Sequence, residues 1–391
     1  NRTFLIRICR TLSLCGNSAV PLVQHICRTI VAFSRYLRRL EVMPKTNLIG
    51  LTKTELEHLF ADLGQPAYRG RQAFKWLYGG RRYNFDEWTD MSKELRTRLA
   101  DQFVAEVLRS SRYQESSDGT IKFLYRLGDG HAIESVLIPD EESGRRTVCV
   151  SSQAGCALGC HFCATGSMGF HRDLTVGEIT SQLLALRDQF GDEAFTNIVF
   201  MGMGEPMLNL DRVLAAVGII TDGAGLAHAA KKITISTAGV VPGIRRLTEL
   251  RCKVRLAVSL NAATQEKRRS IMPLARKYPL DDLTAALREY TRVTGYRVTF
   301  EYALFNDFND GPDDIRALIQ LIQGIPCKIN ILSYNPVQGL PFQPPSTDKV
   351  EWFVRELYPH LPAVTVRRSR GADIQAACGQ LAADESKRRS H

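Results

Sequence analysis

The pattern of apolar and polar positions divides the chain into two parts with different periods. Residues 51–104 show helical spacing, which begins at a capping box in which Thr52 is followed by Glu55. From residue 121 onward, short β-branched runs bounded by turn sequences alternate with longer amphipathic segments. The pattern therefore predicts a small helical domain followed by a sheet with helices.

The alternating part predicts a parallel α/β sheet with helices outside it. We expect strands at 121–127, 132–138, 147–152, 197–201, 232–236, 254–260, 297–304, 328–332 and 363–367, and helices at 175–190, 210–222, 280–294, 312–323 and 348–358. The loops after parallel strands meet on one side of a sheet, so the chemistry should lie there.

These patterns predict a division of the chain into five parts. They are an atypical Arg-rich extension at 1–42, a helical accessory domain at 43–105, a β-rich connector at 106–145, an α/β partial barrel at 146–347, and a C-terminal helix, strand and tail at 348–391. The extension is Arg-rich with no acidic residue before Glu41 and has the composition of a targeting segment, but sequence upstream of a start at Met43 is the favoured interpretation. We expect the extension to be dispensable.

Composition and charge narrow the class of protein. The 391 residues are 24% charged and 44% hydrophobic, which excludes a disordered, collagen-like or coiled-coil chain. No 18-residue apolar run occurs, so no membrane span is expected. The net charge of +10 comes from the two ends, because residues 41–366 carry 38 charges of each sign. Net charge therefore does not by itself indicate a nucleic-acid partner.

A cluster of three cysteines carries the clearest chemistry. Cys156, Cys160 and Cys163 have C-x3-C-x2-C spacing directly after a predicted strand. Thiolates so close together can bind zinc or an iron–sulfur cluster. A structural zinc site needs four ligands, and no second pair with zinc spacing follows. Three cysteines on a four-iron cluster leave one iron open for a small molecule.

Small and polar residues follow several predicted strands. Gly204 and Glu205 follow the strand at 197–201, where a carboxylate could hold an amino group. Further polar candidates at strand ends are Ser236, Ser259, Asn261 and Asn335. Each alone is an ordinary loop residue, but their repeated placement predicts a binding site for a polar ligand.

The cysteine triplet, with Phe162 before its last member, resembles the motif of the radical S-adenosylmethionine superfamily. The resemblance implies a partial (β/α)6-type barrel in which the methionine moiety of S-adenosylmethionine chelates the open iron. One-electron cleavage of the cofactor then gives a 5′-deoxyadenosyl radical. It also implies cofactor contacts from Gly204 and Glu205, and from the set Ser236, Ser259, Leu260, Asn261 and Asn335.

The segments around Glu134, Cys149 and Cys378 resemble one family over roughly residues 46–382, the radical S-adenosylmethionine RNA adenine-C2-methyltransferases. The resemblance implies that Cys378 accepts a methyl group from one of two S-adenosylmethionine molecules used per turnover. The derived methylene radical then adds to adenine. Glu134 removes the ring proton, and Cys149 forms a disulfide with Cys378 that releases the product.

The same resemblance implies the partners of the protein. They are 23S ribosomal RNA, transfer RNA and an electron donor such as flavodoxin or ferredoxin, with a monomeric protein in the cytoplasm. The basic and aromatic segment at 68–82 is either an RNA surface or the core of the helical domain, and the resemblance favours RNA contacts there and at 367–370.

One departure and three alternatives stay open. The family often has His where this chain has Asn261, so the role of that position is less secure. The alternatives are methylation of carbon 8 of adenine, a radical enzyme acting on a protein or small molecule, and a zinc-stabilised RNA-binding protein without catalysis. The retained carboxylate at Glu134 favours carbon 2.

Overall fold

The computed structural model describes residues 45–361 and 363–382. The predicted extension at 1–42 and the end of the chain after residue 382 lie outside the described residues. Within the described ranges, no helix is both long and apolar enough to cross a membrane.

The front of the chain forms the predicted helical unit. Its helices are α1 (Lys53–Asp62), α2 (Tyr68–Phe74) and α3 (Lys93–Gln102), and its ends pair through two short parallel strands, β1 (Thr46–Asn47) and β2 (Phe103–Val104). The capping box is present, because Thr52 Oγ1 accepts from the Glu55 amide while the Glu55 side chain accepts from the Thr52 amide. α2 continues directly into a π-helix at Lys75–Gly79.

The remaining strands, apart from a small hairpin, form one open sheet. They are β3 (Ser110–Glu115), β4 (Ile121–Arg126), β5 (Ala132–Asp140), β6 (Arg145–Cys149), the hairpin β7 (Gln153–Gly155) and β8 (Phe170–Asp173), β9 (Asn197–Phe200), β10 (Ile233–Thr237), β11 (Arg255–Ser259), β12 (Val298–Leu304), β13 (Cys327–Ser333) and β14 (Val364–Arg367). In the described part of the chain the order is β14-β13-β12-β11-β10-β9-β6-β5-β4-β3. The run from β6 to β14 is parallel and β3 to β5 are antiparallel. The sheet therefore curves as a partial barrel without closing.

Helices connect the parallel strands. They are α4 (Ala164–Ser167), α5 (Val176–Phe190), α6 (Leu210–Thr221), α7 (Val241–Glu249), α8 (Gln265–Ile271), α9 (Leu280–Thr294), α10 (Pro312–Ile322) and α11 (Thr347–Leu357). The central strands are covered on both faces, and Ile198, Ile235, Leu256 and Ile329 are fully buried. Burial on both faces explains why these strands read as continuous apolar runs.

The helical unit is packed closely on the sheet domain. A Cβ atom on Gly177, in the first turn of α5, would lie 2.4 Å from the carbonyl oxygen of Ile49, so glycine is required there. Arg81 forms ion pairs with Asp188 and Asp192 at the other end of α5. Backbone contact and charge together fix the unit on this helix.

Several elements differ from the prediction: α4, α8, β1, β2, β7 and β8 were not expected, and three further differences have a clear physical cause. The strand expected at 147–152 ends at Cys149, because Ser151 donates its amide to Gln182 Oε1 (2.8 Å) and the chain leaves the sheet. α7 begins at Val241-Pro242-Gly243, which contains two residues that are unfavourable inside helices. β3 is a largely polar edge strand and so lacks the apolar alternation that would have predicted it.

Candidate active site

A cavity lies at the carboxyl ends of the parallel strands, as the sequence predicts. This barrel cavity has a volume of about 200 Å³. Its walls include predicted residues from the cysteine loop, from four strand ends and from the C-terminal tail: Cys156, Cys160, Cys163, Gly204, Glu205, Ser236, Ser259, Asn261, Asn335 and Cys378. The structure therefore brings most of the predicted site residues together in one place.

The cysteine loop forms one wall of the cavity and is held by backbone hydrogen bonds. The Cys156 amide donates to Gly169 O (2.8 Å), and the His161 amide donates to Ile271 O at the end of α8 (3.0 Å). Burial raises the pKa of the Cys156 thiol to about 12, and the neighbouring Cys163 thiol adds to the shift. Without a bound metal group these thiols would be protonated. Binding of a cluster would therefore have to displace their protons.

The donor set fits a cluster better than a single ion. Among residues 45–361 and 363–382, no three His, Cys, Asp or Glu side chains are grouped so that they could hold one metal ion. Cys156, Cys160 and Cys163 nevertheless face one cavity. A four-iron cluster places each cysteine on a different iron, so its ligands need not converge on one point. The arrangement disfavours the zinc alternative.

A buried arginine lies behind the cysteine loop. Arg268 is fully buried on α8, and its Nε donates to Leu260 O (3.1 Å) while Nη2 donates to Ala238 O. Burial lowers the pKa of Arg268 to about 10, and the Cys160 thiol opposes this shift. Nη1 has no hydrogen-bond partner among the described residues. The guanidinium thus links two strand ends and places a cation near Cys160, which suits an anionic cluster.

The glycine–glutamate turn after β9 presents a buried carboxylate. A Cβ atom on Gly204 would lie 2.4 Å from Gln153 Cβ, and its φ of +96° also requires glycine. Glu205 Oε2 accepts from the Ala238 amide (2.8 Å) and Oε1 accepts from the Met207 amide (3.0 Å). Burial raises the pKa of Glu205 to about 7. A ligand ammonium group would favour its ionised form.

The remaining predicted cofactor residues differ in their placement. Ser236 and Ser259 line the cavity at the ends of β10 and β11. Leu260 does not line it: the side chain is buried, and its carbonyl accepts from Arg268. Asn261 also lines the cavity, with a φ of +55° that Asn tolerates, but its Oδ1 accepts from the Ala303 amide (3.0 Å). The Asn261 side chain therefore stabilises neighbouring strand ends.

The two further cysteines meet in a smaller pocket that adjoins the barrel cavity. This cysteine pocket has a volume of about 110 Å³, and its walls include Cys149 from β6, Cys163 from the cluster loop, Cys378 from the tail and Arg367 from β14. Asn335 Nδ2 donates to Cys378 O (3.1 Å), so it holds the tail. The described cysteines are not joined by disulfides.

Burial and charge oppose each other at this pair. Burial raises the pKa of the Cys149 thiol to about 12, and the Cys378 thiol adds to the shift. Burial also raises the pKa of Cys378, although Arg367 acts to lower it and Cys378 faces the open pocket. Arg367, Arg368 and Arg370 shortly precede Cys378 in the sequence, where positive charge would favour the thiolate. The nearby cation is present, but desolvation is the larger effect.

Glu134 and the segment at 68–82 are not in the barrel cavity, whereas Arg367 of the segment at 367–370 lines it. Glu134 is fully buried on β5, where it pairs with Lys122 and accepts from the Ala382 amide (3.1 Å). In the segment at 68–82, Phe74 and Leu77 are core residues. Arg71 pairs with Glu57 at the surface and Tyr68 is exposed, so the segment combines core residues with a basic and aromatic surface. Arg367 also points inward, 3.5 Å from Glu301.

A wide groove runs beside the C-terminal tail. It has a volume of about 980 Å³, and its walls include His131, His171, Gln338, Gln375 and Gln380. The imidazole rings of His131 and His171 stack with centroids 4.4 Å apart. The sequence does not indicate this pair, because His131 precedes β5 and His171 lies in β8, 40 positions away.

Two family profiles match the chain. Residues 46–105 match the ribosomal RNA large subunit methyltransferase N-terminal domain, and residues 150–322 match the radical SAM superfamily. The crystal structure of a radical SAM methyltransferase from Sphaerobacter thermophilus superposes with a TM-score of 0.81 at 44% identity, covering 87% of this chain and 100% of that one.

Curated relatives match over nearly their whole length. A dual-specificity RNA methyltransferase RlmN from Nitratidesulfovibrio vulgaris strain DP4 is 44% identical over 352 residues, which is 88% of this chain and 96% of that protein. The protein of the same name from Syntrophobacter fumaroxidans is 45% identical over 334 residues, 85% of this chain and 97% of that protein.

The partial barrel and its three-cysteine loop, matched by the superfamily profile, are those of a radical S-adenosylmethionine enzyme. The N-terminal domain and the full-length matches narrow this further, and the chain belongs to the dual-specificity RNA methyltransferase RlmN family. The predicted family and fold class are therefore confirmed.

The position of Cys378 leads to a test of the ligand set. The sequence places no fourth cysteine near the triplet, but the fold brings Cys378 into the same cavity. We expect Cys378→Ala to keep the full iron and sulfide content of the wild type, because the loop cysteines alone ligate the cluster. Iron and sulfide assays after anaerobic reconstitution measure this. A loss of about one quarter of the iron or more would identify Cys378 as a ligand.

Proposed function

We propose that this chain methylates carbon 2 of adenosine in RNA, acting on both 23S ribosomal RNA and transfer RNA. The observation that carries the proposal is the meeting of Cys149 and Cys378 in a pocket that adjoins the cluster cysteines. The printed names of the relatives, dual-specificity RNA methyltransferases, support an RNA substrate.

The electronic character of the target carbon decides which kind of reaction can methylate it. Carbon 2 of adenine is electron-poor and has no nucleophilic lone pair, so direct polar transfer from a sulfonium would fail. Bound on Cys156, Cys160 and Cys163, a [4Fe-4S] cluster with S-adenosylmethionine would supply a carbon radical able to take hydrogen from an unactivated methyl group. Glu205 is placed to hold the amino group of the cofactor, and Ser236 and Ser259 to contact its remaining polar groups.

Cys378 carries the carbon in this proposal. Its thiolate attacks the methyl carbon of one S-adenosylmethionine and displaces S-adenosylhomocysteine, so that a sulfur–carbon bond forms as the sulfonium bond breaks. A second S-adenosylmethionine is used to activate that methyl group, which gives two per turnover. Arg367 acts to lower the pKa of Cys378, which partly offsets the larger effect of burial. The hydrogen bond from Asn335 to the Cys378 carbonyl fixes the backbone of the acceptor.

Two residues complete the transfer. Glu134 takes the proton from carbon 2 after the carbon has been added. Cys149, as a thiolate, then bonds to the sulfur of Cys378 while the bond from that sulfur to the transferred carbon breaks, which leaves a disulfide. The freed carbon takes a proton to become the methyl group, and the unpaired electron of the adduct returns to the electron-transfer system. That disulfide must be reduced before the next turnover, so the proposal includes an electron donor such as flavodoxin or ferredoxin.

The groove beside the tail is the proposed path for RNA. Adenine must be splayed out of its strand to reach a buried pocket, and flanking bases then need a surface on which to stack. The stacked rings of His131 and His171 offer one at the groove wall. We place the protein in the cytoplasm, because free thiols at Cys149 and Cys378 need a reducing compartment, and we propose a monomer, as the family resemblance implies.

Product analysis tests the proposed reaction. The cluster-loaded chain is incubated with S-adenosylmethionine, a reductant and either 23S rRNA or tRNA, and the RNA is digested and analysed by mass spectrometry. We expect 2-methyladenosine from both RNAs. Formation of 8-methyladenosine, or no methylated adenosine, would overturn the proposal. A product from one RNA alone would overturn the dual specificity.

A substitution at Glu205 tests the cofactor pocket. Glu205→Gln removes the charge and keeps one acceptor oxygen, so only one of the Ala238 and Met207 amides retains its acceptor. A hydrogen bond to a charged group contributes about 1.5–3 kcal/mol, so the Kd for S-adenosylmethionine should rise by roughly 10- to 100-fold. Equilibrium binding to the cluster-loaded protein measures this. The matched control is Glu249→Gln, an exposed residue of α7. An unchanged Kd in Glu205→Gln would exclude the contact.

A further inference from the structure

A buried ion pair lies beneath the C-terminal tail. Lys122 is 2% exposed and Glu134 is 0% exposed, and Lys122 Nζ lies 3.4 Å from Glu134 Oε1. Lys122 on β4 pairs with Val136 on β5, so Glu134, two residues along, is its diagonal neighbour on the same face of the sheet. The pair is therefore built into the antiparallel part of the sheet.

Each charge of this pair also holds the tail. Lys122 Nζ donates to Gln375 O (3.0 Å), and Glu134 Oε2 accepts from the Ala382 amide (3.1 Å). Residues 375–382, the carrier segment, contain Cys378 near their middle. The cation holds the first residue of this segment and the anion holds the last.

The middle of the carrier segment rests on the cluster loop. The Ala164 amide donates to Gly379 O (2.7 Å), and Thr165 Oγ1 donates to Leu381 O (2.6 Å). These contacts place Cys378 beside the cluster loop, while its ends are held from the opposite side by the sheet. The tail in turn covers the two charges, so the segment and the ion pair depend on each other for burial.

The free energy of burying a charge makes this ion pair sensitive to the loss of a hydrogen bond. Burying a charge is unfavourable unless the charge is paired and hydrogen-bonded. The carrier segment supplies one such hydrogen bond to each partner. If the segment moves away, each buried charge loses that hydrogen bond. Removal of one charge should likewise loosen the segment that covers the other.

We propose that Lys122 is a positioning residue for methyl transfer, because its ion pair with Glu134 holds both ends of the carrier segment and so fixes the place of Cys378. The catalytic consequence rests on the proposed function of Cys378. Since Glu134 is also the proposed base, and is covered by residue 382, the pair links the position of the carrier to the group that removes the proton.

The test uses the cluster-loaded full chain with Lys122→Met. We expect hydrogen–deuterium exchange in the peptide containing 375–382 to become about tenfold faster, because its end contacts are lost. Exchange in a peptide from β9 should stay unchanged. With S-adenosylmethionine, reductant and RNA, the ratio of 5′-deoxyadenosine formed to adenosine methylated should rise at least about threefold, because radicals form while the methyl group is misplaced.

Matched variants separate positioning from general damage. Lys122→Arg keeps the charge and should restore both readouts toward wild type, and Lys253→Met, at an exposed site, should change neither. If Lys122→Met also speeds exchange in β9, Ala382→Pro decides, since it removes only the amide that Glu134 accepts from. Wild-type exchange in 375–382, or a wild-type product ratio in the deciding variant, would overturn the proposal. Methylated RNA from Cys378→Ala would instead overturn the proposed function and leave the exchange result standing.

Discussion

Cys149→Ala should accumulate a covalent RNA–protein crosslink through Cys378, whereas Cys378→Ala should form none. In the first variant the carrier can load a methyl group and add it to adenine, but no second thiol remains to free the product. In the second there is no acceptor for the methyl group. Formation of methylated RNA should fall by at least about a thousandfold in both, the scale of losing an essential nucleophile.

A denaturing gel of each variant after incubation with RNA, with mass mapping of the Cys378 peptide, measures these outcomes. The matched control is Cys327→Ala, because Cys327 is also buried in a strand but lies outside both pockets. It should give methylated RNA without a crosslink. Turnover of Cys149→Ala without any crosslink would remove its proposed role, and wild-type methylation by Cys378→Ala would end the carrier hypothesis.

Replacement of Cys156, Cys160 or Cys163 by Ala should abolish reductive cleavage of S-adenosylmethionine. Each thiolate holds one iron, so loss of one ligand leaves the cluster incomplete and oxygen-sensitive. Iron and sulfide should fall close to zero, and 5′-deoxyadenosine should no longer form. The helical unit at 46–105 should stay folded, because none of its residues lines the barrel cavity that holds the three cysteines.

Cys252→Ala is the control for these variants, since Cys252 is half-buried and outside the cavity. It should keep a full cluster and wild-type cleavage. A wild-type protein that binds stoichiometric zinc and remains colourless after anaerobic reconstitution would contradict the cluster. So would full cleavage activity in any of the three loop variants.

The sequence predicted the parts of the fold where local pattern and burial agree. Helix α9 matches its predicted range of 280–294, because its apolar stripe faces the sheet throughout. β3 was missed, because an exposed edge strand needs no apolar alternation. The end of the strand at Cys149 was also missed, since it depends on the side chain of Gln182, 33 residues away.

The site shows the same division. Spacing alone indicated the cysteine triplet, because its ligands are neighbours in the chain. Arg268 and Lys122 were not found, since a buried cation has no distinct sequence pattern until the fold shows what surrounds it. Leu260 shows the converse, because a family match does not reveal which way a side chain points.

The most direct test of the account follows the transferred carbon. The enzyme is first loaded with S-adenosylmethionine bearing a CD3 methyl group, freed of unbound cofactor, and then given RNA with unlabelled S-adenosylmethionine. If Cys378 carries the methyl group and loses one hydrogen to the radical, the first 2-methyladenosine formed should contain two deuterium atoms. An unlabelled first product, or one that keeps all three deuterium atoms, would contradict the account.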